Sequence, residues 1–257
     1  MERSKEFSVP RVMEGETVDY PPGSRLKVIQ KKRGYRFSVD AILVAQFVRP
    51  VKGGAIIDLG TGSGVIAMIL ALRQSGSRVV GIEIQSSLAD MARRSVALNG
   101  IAERVEIVGG DLRRIEDLVG PGSFDMAVLN PPYRRLLSGR VNPEGEKALA
   151  RHEIVGSLDD FLRAAEYALK PGGRVSVIYP ARRMVELLSS MRHHRLEPKR
   201  CRMVHSYPGK RGDFILAEGI AGGREEVAVL PPLYIYNPDG GYSEAMMNVF
   251  SDVASFP

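Results

Sequence analysis

Ala55-Ile56-Ile57-Asp58-Leu59-Gly60-Thr61-Gly62-Ser63-Gly64-Val65 is the stretch on which the fold turns. The first five residues suit a short buried strand, and the apolar run Val65 to Leu72 suits a helix opening directly behind the glycines. Glycines between them let the backbone turn sharply and approach a ligand where a side chain would collide. A dinucleotide corner would read G-x-G-x-x-G/A, yet Val65 stands where Gly or Ala is needed and the spacing is G-x-G-x-G. No lysine follows in the manner of a phosphate-binding P-loop. Asp58 at the strand end suits an ammonium, such as that of a methionine moiety, better than a pyrophosphate.

On the C-terminal side the same alternation continues. Strands are expected at Arg78 to Glu83, Val105 to Val108, Phe124 to Leu129 and Arg174 to Tyr179. Helices are expected through Leu88, Met91, Ala92 and Val96, over Leu158 to Leu169, and over Ala181 to Met191. Asn99-Gly100 and Lys170-Pro171-Gly172-Gly173 read as helix stops. Short connections imply a mostly parallel sheet with helices on both faces. Arg200 to Tyr207 and Asp213 to Ile220 leave no room for a helix between them and should pair antiparallel at one edge. On the N-terminal side, residues 1 to 24 read as a loose lead-in. Leu26 to Gln30 and Tyr35 to Phe37 flank the basic turn Lys31-Lys32-Arg33-Gly34 as a short hairpin, and Ser38 opens a helix that stops before Pro50. Residues 221 to 257 support no assignment.

Three carboxylates fall at the carboxyl ends of consecutive strands. Asp58 closes the first, Glu83 closes the second where it can accept both ribose hydroxyls, and Asp111 follows the third where it can reach an adenine amino group. With the glycine turn, this pattern resembles the class I S-adenosylmethionine-dependent methyltransferases over about residues 35 to 220. The resemblance implies a Rossmann-like, seven-stranded, mostly parallel sheet with an antiparallel edge strand and a small N-terminal hairpin and helix. It divides the chain into an extension over residues 1–52, covering the cofactor site, and a methyltransferase domain over 53–257. The implied cofactor is S-adenosyl-L-methionine, with S-adenosyl-L-homocysteine as product. Gly60, Thr61, Gly62, Gly64 and Ile84 join the three carboxylates as candidate cofactor contacts.

Asn130-Pro131-Pro132-Tyr133 follows the fourth strand. Each proline fixes its own φ and pushes the preceding residue into extended backbone, which stiffens Asn130 and Pro131. The Asn130 side-chain oxygen and the Pro131 carbonyl can then meet at one point as paired acceptors for a planar amino group. Such a nitrogen is poorly nucleophilic because its lone pair is delocalised, and acceptors that favour a pyramidal nitrogen assist its attack. Tyr133 is placed to stack on the acceptor, which would leave its own stack to enter. The tetrad looks like the signature of amino-methyltransferases acting on adenine N6, guanine N2 or glutamine amide, and does not separate them.

Composition narrows the classes. At 257 residues, 44% hydrophobic and 26% charged, the chain is that of a globular protein, not a disordered one. No stretch approaches the roughly 18 to 20 apolar residues of a membrane helix, and no apolar segment follows Met1 to Lys5 as in a secretory signal. A single cysteine, Cys201, excludes an internal disulfide and points to the cytoplasm. Cys201 reads as a strand residue rather than a nucleophile. His193 and His194, adjacent on a helix, should point apart, and no metal cluster is expected.

The formal charge is +6. Arg134, Arg135, Arg140, Lys147 and Arg151 follow the tetrad, Arg182 and Arg183 follow the fifth strand, and Lys210 and Arg211 join the last two strands. All should emerge at the cofactor edge, which suits RNA phosphates; Lys31 to Arg33 could fold over it too. Arg93-Arg94 and Arg113-Arg114 read as solvated faces. Tyr35-Arg36-Phe37-Ser38-Val39-Asp40, the tetrad and Ala150-Arg151-His152-Glu153 together look like the bacterial family that N6-methylates the adenine beside the anticodon of a valine tRNA. Leu233-Tyr234-Ile235-Tyr236 and Tyr242 fit the same family. The resemblance implies that Tyr35 and Asp40 help to cover the cofactor and that tRNA is the partner. Open alternatives are a glutamine methyltransferase acting on release factors, an rRNA guanine-N2 or adenine-N6 methyltransferase, and a cofactor-binding RNA module without catalysis. The first lacks its usual separate N-terminal helical domain here. The last has no need of an intact tetrad.

Overall fold

The computed structural model describes residues 10–33, 36–49, 53–74, 76–133 and 156–254. Five parallel strands form the centre: β3 (Ala55–Leu59), β4 (Arg78–Glu83), β5 (Val105–Gly109), β6 (Phe124–Leu129) and β7 (Leu169–Pro180). They lie in the order β5-β4-β3-β6-β7, followed by β9 (Phe214–Ala221) and β8 (Leu196–His205). Two-residue strands β10 (Ala228–Val229) and β11 (Leu233–Tyr234) run parallel along the outer side of β8. Among the described residues the sheet therefore has nine strands rather than the expected seven; the extra pair lies in the C-terminal segment that the sequence left unassigned. Strand order reverses between β3 and β6, so a crevice opens at their carboxyl ends. The glycine turn leaves from β3 there, and Asn130 leaves from β6.

The antiparallel strand is not at the edge. β9 pairs with β7 on one side and β8 on the other. Ile215, Leu216 and Ala217 are all buried, which agrees with a strand covered on both faces rather than one turned half to water. Its Glu218 is a fully buried carboxylate, held by Arg49 and, at 3.2 Å, by Arg200.

Helices cover both faces. α1 (Val39–Phe47), α2 (Val65–Arg73), α3 (Ser86–Leu98) and α6 (Glu244–Ala254) lie on one side, and α4 (Leu158–Ala168) and α5 (Met184–His193) on the other. α1 is buried nearly all round, with Asp40 to Ala45 and Phe47 inside. Ser157 and Asp160 close a reciprocal capping box at the start of α4. β7 begins at Leu169, immediately after α4, rather than beyond the Lys170 to Gly173 stop. A bulge absorbs the Pro-Gly-Gly turn, with Leu169 pairing Phe124 and Arg174 pairing Met126.

The N-terminal hairpin is built differently from expectation. β2 (Val28–Lys31) pairs with β1 (Glu16–Asp19), inside the supposed lead-in, and among the described residues neither Arg36 nor Phe37 pairs with it as a strand. Half-buried throughout, Glu-Thr-Val-Asp shows no alternation, and a tertiary contact holds it: Arg94 on α3 grips Glu16 through two hydrogen bonds of 2.7 and 2.6 Å. Arg94 is thus a buried anchor, not a solvated residue. β2 then lies along α3, with Ile29 N donating to Ser95 Oγ and Lys31 Nζ to Ser87 Oγ. Among the described residues no helix is long and apolar enough to cross a membrane.

Candidate active site

Gly60, Gly62 and Gly64 all take left-handed φ, between +59° and +79°. At Gly60 the demand is doubled, because a Cβ would sit 2.9 Å from the Phe161 ring on α4. The turn is fastened from two sides. Gly60 N and Thr61 N both donate to the Ile82 carbonyl at 2.9 Å. Thr61 Oγ1 donates to Asp58 Oδ2 at 2.5 Å, and Gly62 N donates to Glu83 Oε2 at 2.9 Å. Glu83 Oε1 takes the Gln85 amide at 2.8 Å.

Asp58 and Glu83 are both buried. Burial pushes the Asp58 carboxyl up to about 7, against the lowering hydrogen bond from Thr61 and the Ala67 amide, and the nearby Glu83 charge adds to the rise. Burial also pushes Glu83 up, opposed by the amides of Gln85, Gly62 and Ile84. Ser63 Oγ is buried without a hydrogen-bond partner. An unpartnered Ser63 hydroxyl and two desolvated acids around a glycine turn are short of donors and positive charge. That is the chemistry a cationic, hydroxyl-rich cofactor such as S-adenosylmethionine would satisfy, so these residues fit it. Asp58 has no exposed surface, so it bears on the turn through Thr61.

Asp111 follows β5 and caps a short 3-10 turn, Leu112–Asp117. Arg113 holds its carboxyl below the usual range through hydrogen bonds from the backbone amide and, at 2.7 Å, from Nη2. Arg113 therefore does more than solvate a face, and an adenine amino group approaching Asp111 meets this guanidinium as a competitor.

The tetrad sits across the crevice. Tyr133 Oη lies 2.6 Å from Asn130 Oδ1 and 2.7 Å from Asp40 Oδ2, and the Ser38 hydroxyl holds the other Asp40 oxygen. The Tyr133 ring meets Tyr179 edge-on at 6.2 Å and Phe214 at 5.7 Å. Its carbonyl accepts from Arg183 Nη1 at 3.1 Å, while the rest of that guanidinium forks onto Glu186 and lies 4.6 Å over Tyr179. α1 thus holds the tetrad from one side and the turn after β7 from the other. Arg183, expected to meet phosphate, is spent inside the protein. Phe161, Tyr179 and Phe214 were not singled out from the sequence, and Ser38 only as the residue that opens α1. Each reads as a core or cap residue, and no local pattern links it to the site.

Lys210 and Arg211 are exposed in the connection from β8 to β9, at the carboxyl edge. Tyr35, Arg134, Arg135, Arg140, Lys147 and Arg151 lie outside the described residues, as does the segment Ala150 to Glu153. Cys201 is buried on β8 with its thiol pushed up by burial, a packing residue. The rings of His193 and His194 meet edge-on at 5.1 Å instead of pointing apart. Among the described residues no cluster of three or more metal-ligating side chains occurs.

Fold and site together define an S-adenosylmethionine-dependent methyltransferase. A family model described as a methyltransferase domain matches residues 50–217, and the chain belongs to that family. It is 32% identical over 200 residues, 76% of this chain and 78% of the relative, to the tRNA1(Val) (adenine(37)-N6)-methyltransferase of Porphyromonas gingivalis, whose family it shares. A Shewanella protein of the same name is 27% identical over 221 residues, covering 85% of this chain and 92% of its own. Among solved structures, a protein of Agrobacterium tumefaciens described as a predicted O-methyltransferase superposes with a TM-score of 0.69. Its identity is 23%, over 84% of this chain and 98% of that one, a likeness of fold.

Proposed function

We propose that the chain methylates adenine N6 in tRNA, at position 37 of a valine tRNA, as its relatives' names state for them. The observation that carries this reading is the intact Asn130 to Tyr133 tetrad, stiffened by its prolines and placed across the crevice from the glycine turn. When bound, S-adenosylmethionine supplies an electrophilic methyl group on a sulfonium. Glu83 would accept the ribose hydroxyls, and the amides of the Gly60 to Gly64 turn, held by Asp58 through Thr61, would hold the cofactor beside it. Asp111 is left for the adenine edge, once its contact with Arg113 loosens.

One phenolic proton cannot serve both Asp40 and Asn130. With the Asn130 amide turned so that its Nδ2 donates to Tyr133, and Tyr133 donates to Asp40, every member of the row is satisfied. Asn130 Oδ1 then accompanies the Pro131 carbonyl as acceptor for the two N6 hydrogens. Drawn toward both acceptors, the nitrogen becomes more pyramidal and its lone pair more available; after transfer the amine sheds one proton to water. Asp40, expected to cover the cofactor, is assigned instead to positioning Tyr133. A tRNA substrate places this work in the cytoplasm.

The test is nucleoside mass spectrometry on unmodified total tRNA incubated with the protein and methyl-labelled S-adenosylmethionine. Labelled N6-methyladenosine is expected. Asn130→Ala should retain cofactor binding and lose transfer on the order of a hundredfold or more, the scale of a lost transition-state hydrogen-bonding group. Equal labelling by this variant and the parent would sink the assignment, and label in no nucleoside would turn it toward protein amides.

A further inference from the structure

An aromatic row stands beside the site, where β8 and β11 reach the carboxyl edge. The rings of Tyr207 and Tyr236 lie 5.2 Å apart at 31°, and those of Tyr236 and Tyr242 lie 5.3 Å apart at 23°. Tyr242 closes edge-on against Phe250 on α6 at 5.0 Å. Main-chain bonds build the row: Tyr236 N donates to the Ser206 carbonyl at 2.9 Å, and Tyr236 bridges Tyr242. Tyr207 remains 36% exposed, and among the described residues Tyr236 is the one aromatic ring that meets it. The row therefore ends at Tyr207 with ring surface open to solvent.

The loop that carries Tyr207 is pre-formed. Asp213 Oδ2 accepts from Ser206 N at 2.6 Å and from Ser206 Oγ at 2.7 Å, and His205 Nδ1 meets the Lys210 carbonyl at 2.7 Å. Lys210 and Arg211 project from the same loop, exposed, and neither forms an ion pair among the described residues. Asp213, the acid nearest in sequence, is occupied by Ser206. Phe214, which touches Tyr133, pairs with Val204 at the end of β8. Three strand spacings of about 5 Å separate β6 from β8, so the open end of the row lies on the order of 15 Å from the tetrad.

The geometry points to Tyr207 as a stacking site for an unpaired RNA base within a few nucleotides of the target, with Lys210 and Arg211 on the phosphates beside it. This rests on the tRNA reading above. A ring face takes any base, and cations on the same rigid loop track the backbone. An anticodon loop offers unpaired bases, whereas duplex RNA would keep its bases stacked away from the ring.

The chain contains no tryptophan, so Tyr207→Trp installs a single reporter at the row's end. Its fluorescence should be quenched saturably by unmodified tRNA and by an anticodon stem-loop, and much less by a blunt RNA duplex. In parallel, Tyr207→Ala should raise KM for tRNA on the order of tenfold, the effect of one lost stacked base, with kcat within about twofold. Activity of the Tyr207→Trp variant shows that the loop still folds. An unchanged KM in Tyr207→Ala, or unquenched fluorescence, overturns the stacking site while the parent's methylation of tRNA leaves the function intact. A parent that labels no RNA overturns both together.

Discussion

Asp58 and Glu83 are separated by the peptides of the glycine turn, and each is an acid kept from water. Their environments set two measurable behaviours. The Asp58 carboxyl sits at about 7, against 3.8 for an ordinary aspartate. The folded chain thus holds a proton that the unfolded chain releases between those values. Stability falls as pH climbs from about 4 and the loss is complete above about 7. Asp58→Asn keeps an acceptor for Thr61 and lacks that slope. Denaturation at about pH 5 and about pH 8 should show the parent losing more stability than the variant; parallel losses would count against the buried acid. Glu83→Ala should weaken S-adenosylmethionine binding by calorimetry on the order of a hundredfold, the loss of two hydrogen bonds to a charged acceptor. Unchanged affinity refutes the ribose role. Both acids could be found from the sequence because each ends an apolar strand beside glycines. That Arg113 already holds Asp111, and Asp40 already holds Tyr133, could not, because each partner comes from a different turn of the chain.

The hairpin β1–β2 is an element whose existence depends on a neighbour. Four half-buried residues carry too little apolar surface to stay paired alone, and the Arg94 grip on Glu16 supplies the missing contact. Both side chains are nearly buried, so the pair is not the weak surface kind. Arg94→Ala leaves Glu16 without its partner and should cost on the order of 3 kcal/mol. The loss should concentrate in the hairpin: amide exchange at residues 16–19 and 28–31 should speed up far more than in β3 or β4. Uniform acceleration across the sheet would contradict a local anchor. The sequence puts the hairpin signal in Leu26 to Gln30 and the run after the basic turn, whereas β2 pairs with Glu16–Asp19. Pairing with an earlier strand is chosen by α3, whose Ser95 and Ser87 receive β2.

Across the sheet, β9 joins the parallel strands to β8, and Glu218 on it joins α1 to β8 through Arg49 and Arg200. Glu218→Ala removes a fully buried carboxylate and strands the Arg200 guanidinium, which should cost about 3–5 kcal/mol in urea unfolding. A loss near zero would mean that water reaches the pair. The β–α alternation, the glycine turn, the strand-end acids and the tetrad were all legible along the chain, because each depends on spacing within a few residues and on the special backbone freedom of glycine or rigidity of proline. So were the fold class and the methyltransferase chemistry. Strand order beyond β7, the interior place of β9, the two short strands outside β8, and the Asp40–Tyr133–Asn130 row came only with the folded chain. These depend on which faces and edges remain to be covered after the parallel core has formed, a question that contacts between residues as far apart as 40 and 133 decide.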